Sequence, residues 1–271
     1  MRIGTIKKLL KKGENHLYIR FFSPIKRMMP SRSTFGYDYP ADNDHREEKL
    51  SVYNRKAPYH FGWDWGIRIV QMGIWKPVSL TFYDNARIED YYVKQLSVSN
   101  EKAEIDNQIE IFSLLDTPAT ISIGYTLNSN GDEQIVNKEV YLKKGVNHFS
   151  LPLIIENPKL WMPVNWGEQH LYNFNATVNI DADVAAVKEV RTGLRSVRHI
   201  SEVDENEEFY RQADERGILD WQDFIFGCTT YPSDDFFLNN VNEEAIYNIK
   251  RLRNHASLAY WCGNNEILEG L

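Results

Sequence analysis

Between residues 87 and 180 the sequence repeats one texture. "RIEDYYVKQLSVS", "QIEIFSLL", "ATISIGYTLNS", "EVYLKK", "NHFSLPLII" and "HLYNFNATVNI" are short runs rich in β-branched and aromatic residues. Turn-forming residues separate them at intervals of about ten, the spacing of an antiparallel sandwich. This rhythm predicts an immunoglobulin-type β-sandwich over 86–194. It also limits the rest of the chain, because whatever flanks such a body must be built from the remaining residues at either end.

Before the rhythm starts, "NHLYIRF" (15–21) alternates, with Leu17, Ile19 and Phe21 on one side. That pattern predicts a strand with one buried face. Residues 23–54 are rich in Pro, Asp, Arg and Tyr and read as long loops, and 73–84 is strand-like again. After Arg195 the period changes. Phe209, Ala213 and a stop at Gly217 fit a short helix, and 218–226 reads as a strand. Ser233 is placed to cap a second helix, whose apolar face carries Val241, Ala245, Ile249 and Leu252. Lys250, Arg251 and Arg253 sit at its C-terminal end, where the helix dipole favours cations. "SLAYWC" (257–262) is a further strand. Helix, strand, helix, strand with short links is parallel α/β. "LKKGENHLYI" and "LKKGVNHFSL" share a turn-into-strand pattern rather than forming a repeat.

Composition narrows the function classes. The net charge is −7, with acidic and basic residues interspersed, so no basic face for nucleic acid is expected. No apolar run approaches the ~20 residues that span a bilayer, and "MRIGTIKKLLKKG" lacks the apolar centre of a signal peptide. Two cysteines and seven histidines show no metal-ligand spacing, so no metal and no cofactor are expected. "DNDH" (42–45) resembles the start of a calcium loop without its glycine and closing glutamate. Asn175-Ala176-Thr177 is a glycosylation sequon. Aromatic residues make up 13%, including seven tryptophans, which suits β-rich cores and also platforms for sugar rings.

Three clusters carry candidate chemistry. In "RKAPYHFGWDWGIRI" (55–69), Trp63 and Trp65 flank Asp64 between two glycines. Such a group can stack on a sugar while the carboxylate accepts hydroxyl hydrogen bonds, or it can be two core tryptophans with a turn aspartate. In "WQDF" (221–224), a strand would turn Trp221 and Asp223 one way and Gln222 the other. In "LAYWCGNNE" (258–266), Glu266 follows the last strand closely. Catalytic groups of (β/α)8 barrels stand at strand C-termini. A glutamate there is an acid, base or nucleophile, or a helix N-terminal residue favoured by the dipole. Asn264 and Asn265 fit either capping or hydrogen bonding to a hydroxyl-rich ligand.

Together, "RKAPYHFGWDWG", "GILDWQDFIFGCTTYPSD" and "RLRNHASLAYWCGNNE" resemble the β-mannosidases of glycoside hydrolase family two. The resemblance implies a partial sugar-binding-like β-sandwich over 1–85, an immunoglobulin-like sandwich over 86–194 and a partial catalytic (β/α)8 barrel over 195–271. It implies hydrolysis of terminal non-reducing β-D-mannose from oligosaccharides or glycan ends. Glu266 corresponds to the general acid/base and Asn265 to the residue that binds the sugar 2-hydroxyl. Asp64, with Trp63 and Trp65, corresponds to the loop reaching the glycone pocket, while Trp221 and Asp223 support its floor. Asp220 departs from the family, which tends to have an apolar residue there. The family's compartments are periplasmic, secreted or lysosomal.

A retaining glycosidase needs two carboxyl groups about 5–5.5 Å apart. In the resembled family the second is a glutamate near the end of the seventh barrel strand, so this chain is expected to be an inactive piece of a longer enzyme. It is also expected to lack the first two barrel strands, with its halves joined near Glu207 and Glu208 and a break between consecutive residues within 200–210. An incomplete barrel is expected to leave Ile218, Leu219, Phe224, Leu258 and Tyr260 with few partners. The alternatives are a non-catalytic carbohydrate-binding protein, or another family-two exo-glycosidase such as a glucosaminidase.

Overall fold

The computed structural model describes residues 6–34, 38–41, 44–74, 76–127, 134–195, 207–227, 229–265 and 267, with the backbone alone at Asp64 and Gln134. The chain divides into two compact units, 1–77 and 78–271.

The second unit is dominated by seven antiparallel strands: β1 (Ala86–Val98), β2 (Lys102–Ser113), β3 (Thr117–Leu127), β4 (Gln134–Leu142), β5 (Gly145–Glu156), β6 (Tyr172–Ile180) and β7 (Asp183–Thr192). They form a three-stranded sheet ordered β1-β2-β5 and a four-stranded sheet ordered β4-β3-β6-β7. Burial alternates residue by residue along β2 and β6, as a strand with one inward face requires. Ile105, Ile109, Ile111, Ile121, Ile123, Phe174 and Val178 fill the space between the sheets. A buried asparagine, Asn107, sits in that core. Asn107 accepts from Tyr91 Oη at 2.8 Å and donates to Leu151 O at 3.1 Å, so its amide is satisfied. Burial pushes the Tyr91 hydroxyl pKa up. The rhythm of the sequence anticipates six of these strands. It misses β7, whose valines alternate less cleanly. The sequon residue Asn175 lies in mid-β6 with its side-chain oxygen buried, a poor position for a glycan.

Beyond the sandwich come α2 (Glu207–Arg216), β8 (Asp220–Asp223), α3 (Asp235–Leu252) and β9 (Leu258–Cys262). β8 and β9 pair in parallel, with α3 as the crossover. Gly217 ends α2 in the left-handed region at φ 68°. The cap of α3 lies one residue later than expected. Asp234, not Ser233, accepts from the Phe237 N–H at 3.1 Å. The expected break within 200–210 falls largely on residues outside the described set, and Glu207 and Glu208 open α2. The expectation of poorly packed strand residues fits Ile218, which is exposed, whereas Tyr260 is exposed but meets the Trp221 ring edge-on. It fails for Leu258, buried with Tyr210 and Leu252, for Leu219, packed on Trp161, and for Phe224, stacked on Trp261 at 5.5 Å.

Docking between sandwich and α/β segment is dense. Trp161 is buried, and its indole N–H donates to Asp214 O at 2.8 Å. Arg253 pairs with Asp90, and its guanidinium lies 4.2 Å from the Tyr92 ring centroid. Lys250 pairs with Glu110 at 2.8 Å. The Asn254 amide donates to Tyr91 O at 2.9 Å and accepts from Val93 N at 3.1 Å, both on the edge strand β1.

The first unit departs from the local strand and loop readings of 15–54. Its described residues contain no strand. Residues 15–21 form no strand, nor do 77–83, which run into the second unit, and Leu17, Ile19 and Phe21 are exposed rather than facing inward. Alternation specifies a strand only where a neighbouring strand completes the ladder. Part of the supposed loop 23–54 is helical, α1 (Pro24–Thr34).

Candidate active site

In the first unit the tryptophan cluster folds as two consecutive one-turn 3-10 helices, Pro58–Phe61 and Trp63–Trp65. Pro58 opens the first, where a missing N–H costs nothing. Gly62 joins the two at φ 111°, and a Cβ there would lie 2.5 Å from His45 Nδ1, so the position requires glycine. Trp65 adopts φ 60°, a conformation in which a bulky residue is an outlier, and it is 96% exposed. Strained backbone clusters at ligand clamps, and an exposed indole offers its face to the C–H side of a sugar ring. Trp63 is partly buried, and at Asp64 only the backbone is described, in the middle of the second 3-10 turn. The core-tryptophan alternative is therefore wrong for Trp65.

Next to the loop lies Asp44, fully buried. It accepts from the N–H groups of Leu50 (2.8 Å) and Ser51 (3.0 Å) through one oxygen and from Arg68 Nε (2.8 Å) through the other. The calcium-loop likeness of "DNDH" thus has another basis at Asp44, whose carboxylate is engaged by the protein itself. No group of three or more potential metal ligands occurs among the described residues.

In the second unit the candidate residues gather at the C-terminal ends of β8 and β9. Register pairs Trp221 with Tyr260 and Asp223 with Cys262. Trp221 and Asp223 share a face, as their alternation predicts. The Trp221 indole N–H donates to Asp223 Oδ1 at 2.6 Å, and Tyr260 meets Trp221 edge-on at 4.8 Å. Gln222 points the other way into the core, where it accepts from the Tyr210 hydroxyl and donates to Asp223 O. Asp220 is buried at the start of β8. Past the strand ends, Asn265 N–H donates to Phe226 O at 2.9 Å, extending the parallel pairing by one bridge to Gly227. Asn265 is thereby fixed at the strand mouth. Glu266 lies outside the described residues.

Behind the strands, His255 joins α2 to the turn before β9. Its Nδ1 lies 2.8 Å from Asp214 and its Nε2 3.0 Å from Glu207. Burial alone lowers its pKa, but hydrogen bonds to the two carboxylates prevail and raise it to about 9. Asp214 also accepts from Ser257 N at 2.7 Å, which sets where β9 begins.

Two family models match. One is described as the glycosyl hydrolase 2 galactose-binding domain-like region, over residues 3–76, and the other as glycosyl hydrolases family 2, over residues 86–195. The chain belongs to glycosyl hydrolase family 2. Among its relatives, "Beta-mannosidase B" of Emericella nidulans is 28% identical across 98% of this chain, and the Aspergillus niger protein of the same name is 27% identical across 96%. The chain spans 38% and 37% of those proteins' lengths. The first alignment runs over 326 positions against a chain of 271 residues, so that relative carries residues this chain lacks. A solved β-D-mannosidase from Dictyoglomus thermophilum superposes with a TM-score of 0.86 at 31% identity, covering 96% of this chain and 39% of that one. A Bacteroides uniformis β-glucuronidase matches at 0.60 and 16% identity, over 69% of this chain and 30% of that one, a likeness of fold alone.

For this family 2 chain, sequence reasoning placed Phe224, Tyr260 and Trp261 in its clusters but missed the ring contacts of Tyr260 with Trp221 and of Phe224 with Trp261. It also missed Asp44 and Arg68 beside the tryptophan loop. Nothing local pairs residues 44 and 68.

Proposed function

We propose that this sequence forms part of a retaining exo-β-mannosidase. Glu266 protonates the leaving oxygen while a second carboxylate attacks the anomeric carbon, and Glu266 then acts as base to bring in water on the glycosyl-enzyme. Asn265 binds the 2-hydroxyl of the terminal mannose. Asp64, with Trp63 and Trp65, contacts sugar, and Trp221 and Asp223 brace the floor of the site at the strand ends. The observation that carries the reading is Asn265 fixed at the C-terminal mouth of two parallel strands, immediately before Glu266, where barrel enzymes place catalytic side chains. Relatives named as β-mannosidases support mannose as the sugar.

Retention needs a second carboxylate beside Glu266, and the polypeptide of residues 1–271 made by itself is expected to turn over no glycoside. The test is a panel of nitrophenyl β-glycosides on the natural polypeptide that carries this sequence. Preference for β-mannoside is expected, and preference for an N-acetylglucosaminide or glucuronide would overturn it. Sugar binding without turnover is the second reading, favoured by the exposure of Trp65, which needs no carboxylate pair to act as a platform.

A further inference from the structure

The loop 62–67 is held at both ends by one dipeptide. At its entry, the His45 N–H donates to Phe61 O at 3.2 Å, and the His45 ring closes over Gly62. At its exit, the buried Asp44 carboxylate takes Arg68 Nε at 2.8 Å with only 18% of the Arg68 side chain exposed. Arg68 also lies over the Phe61 ring, its guanidinium carbon 5.6 Å from the centroid, so exit and entry touch each other. Asp44 is itself fixed by the N–H groups of Leu50 and Ser51. Between these ties sits Trp65 at φ 60°. A tryptophan leaves that region unless its surroundings over-determine it.

We infer that Asp44 and His45 form a clasp that holds Trp65 in its strained, outward conformation, which makes Asp44 a positioning residue for the sugar-contact loop. This rests on the reading of Trp65 as a sugar platform. Asp44 touches no sugar. It acts by closing the loop through Arg68, so that the indole meets its ligand already placed and the cost of ordering is met on folding rather than on binding.

The test uses the 271-residue chain with fluorotryptophan at its tryptophans and fluorine NMR, the Trp65 signal being identified with Trp65→Phe. Asp44→Asn is expected to move the Trp65 signal toward that of free fluorotryptophan in the absence of sugar, while the signal of buried Trp161 stays put. Because a lone buried Arg68 charge could unfold the first unit, the pair Asp44→Asn/Arg68→Met is measured alongside. It removes both charges and keeps an acceptor for Leu50 and Ser51. The same Trp65 shift is expected there. A Trp65 signal unmoved in the folded pair variant overturns the clasp, and so does loss of the unit's fold in that variant, since the tie would then belong to the fold and not to the loop. A titration with millimolar methyl β-D-mannoside separates the underlying reading. The wild-type Trp65 signal should respond, and binding in the pair variant should weaken on the order of tenfold, equivalent to about 1.4 kcal/mol. A variant shift without any wild-type response to sugar leaves the clasp standing and removes the sugar role.

Discussion

Single residues decide the chemistry proposed for this chain, and they make separable predictions in an active polypeptide. Glu266→Gln should slow glycosides with poor leaving groups far more than activated ones, because proton donation matters most where the leaving oxygen is basic. The expected gap is about 10²–10⁴-fold. Equal losses on a nitrophenyl mannoside and a mannobiose would assign Glu266 to structure. Asp64→Ala should raise KM for mannosides and lower kcat/KM with the fold unchanged by circular dichroism. Unchanged kinetic constants would remove Asp64 from the sugar site. Glycines are equally specific. A Cβ at Gly193 would lie 2.4 Å from Trp161 Cβ, inside any tolerable contact. Gly193→Ala should therefore displace the indole that ties the sandwich to α2, at a cost of roughly 1–3 kcal/mol. The midpoint of urea unfolding measures it.

Elements show where sequence reading works. The strands of the sandwich are legible because each carries its own alternation and its own bounding turns, as β2 does with Ile105, Ile109 and Ile111 inward. The order α2, β8, α3, β9 is legible from the change of period alone. Where a partner must be supplied from elsewhere, legibility ends. Leu17, Ile19 and Phe21 alternate as well as any core strand and yet find no ladder. The candidate site divides the same way. Trp221 and Asp223 share a face because they are two apart, whereas the tie from Asp44 to Arg68 spans 24 residues and has no local trace. The His255 cluster is another contact of this non-local kind, and it makes the α2–β9 junction pH-dependent. The histidine's folded pKa, about 9, lies above its ordinary value of 6.5. Its contribution is thus fully present below pH 6.5 and is lost as pH rises through 9. Thermal stability should fall across that window by roughly 2–3 kcal/mol, with Glu207 on the exposed side of the cluster limiting the effect. His255→Gln should flatten the slope. An equal slope in both proteins would show that other groups titrate there.

At the scale of the molecule, the second unit is one body because α3 and its following turn are bound to β1 by charge, ring and amide together. Asn254 matters most in a setting other than stability. β1 is the outer strand of its sheet, and Tyr91 O and Val93 N face outward from it. Those two groups are what a foreign strand would use to add itself to the sheet, and the Asn254 side chain occupies both. A single amide thus does what a covering segment does elsewhere: it closes a template for self-association. Asn254→Ala would reopen it. The expected consequence is concentration-dependent assembly on gentle warming, seen as rising light scattering while wild-type chains stay dispersed. Equal scattering from both would mean that Arg253, over Tyr92, suffices to guard the edge.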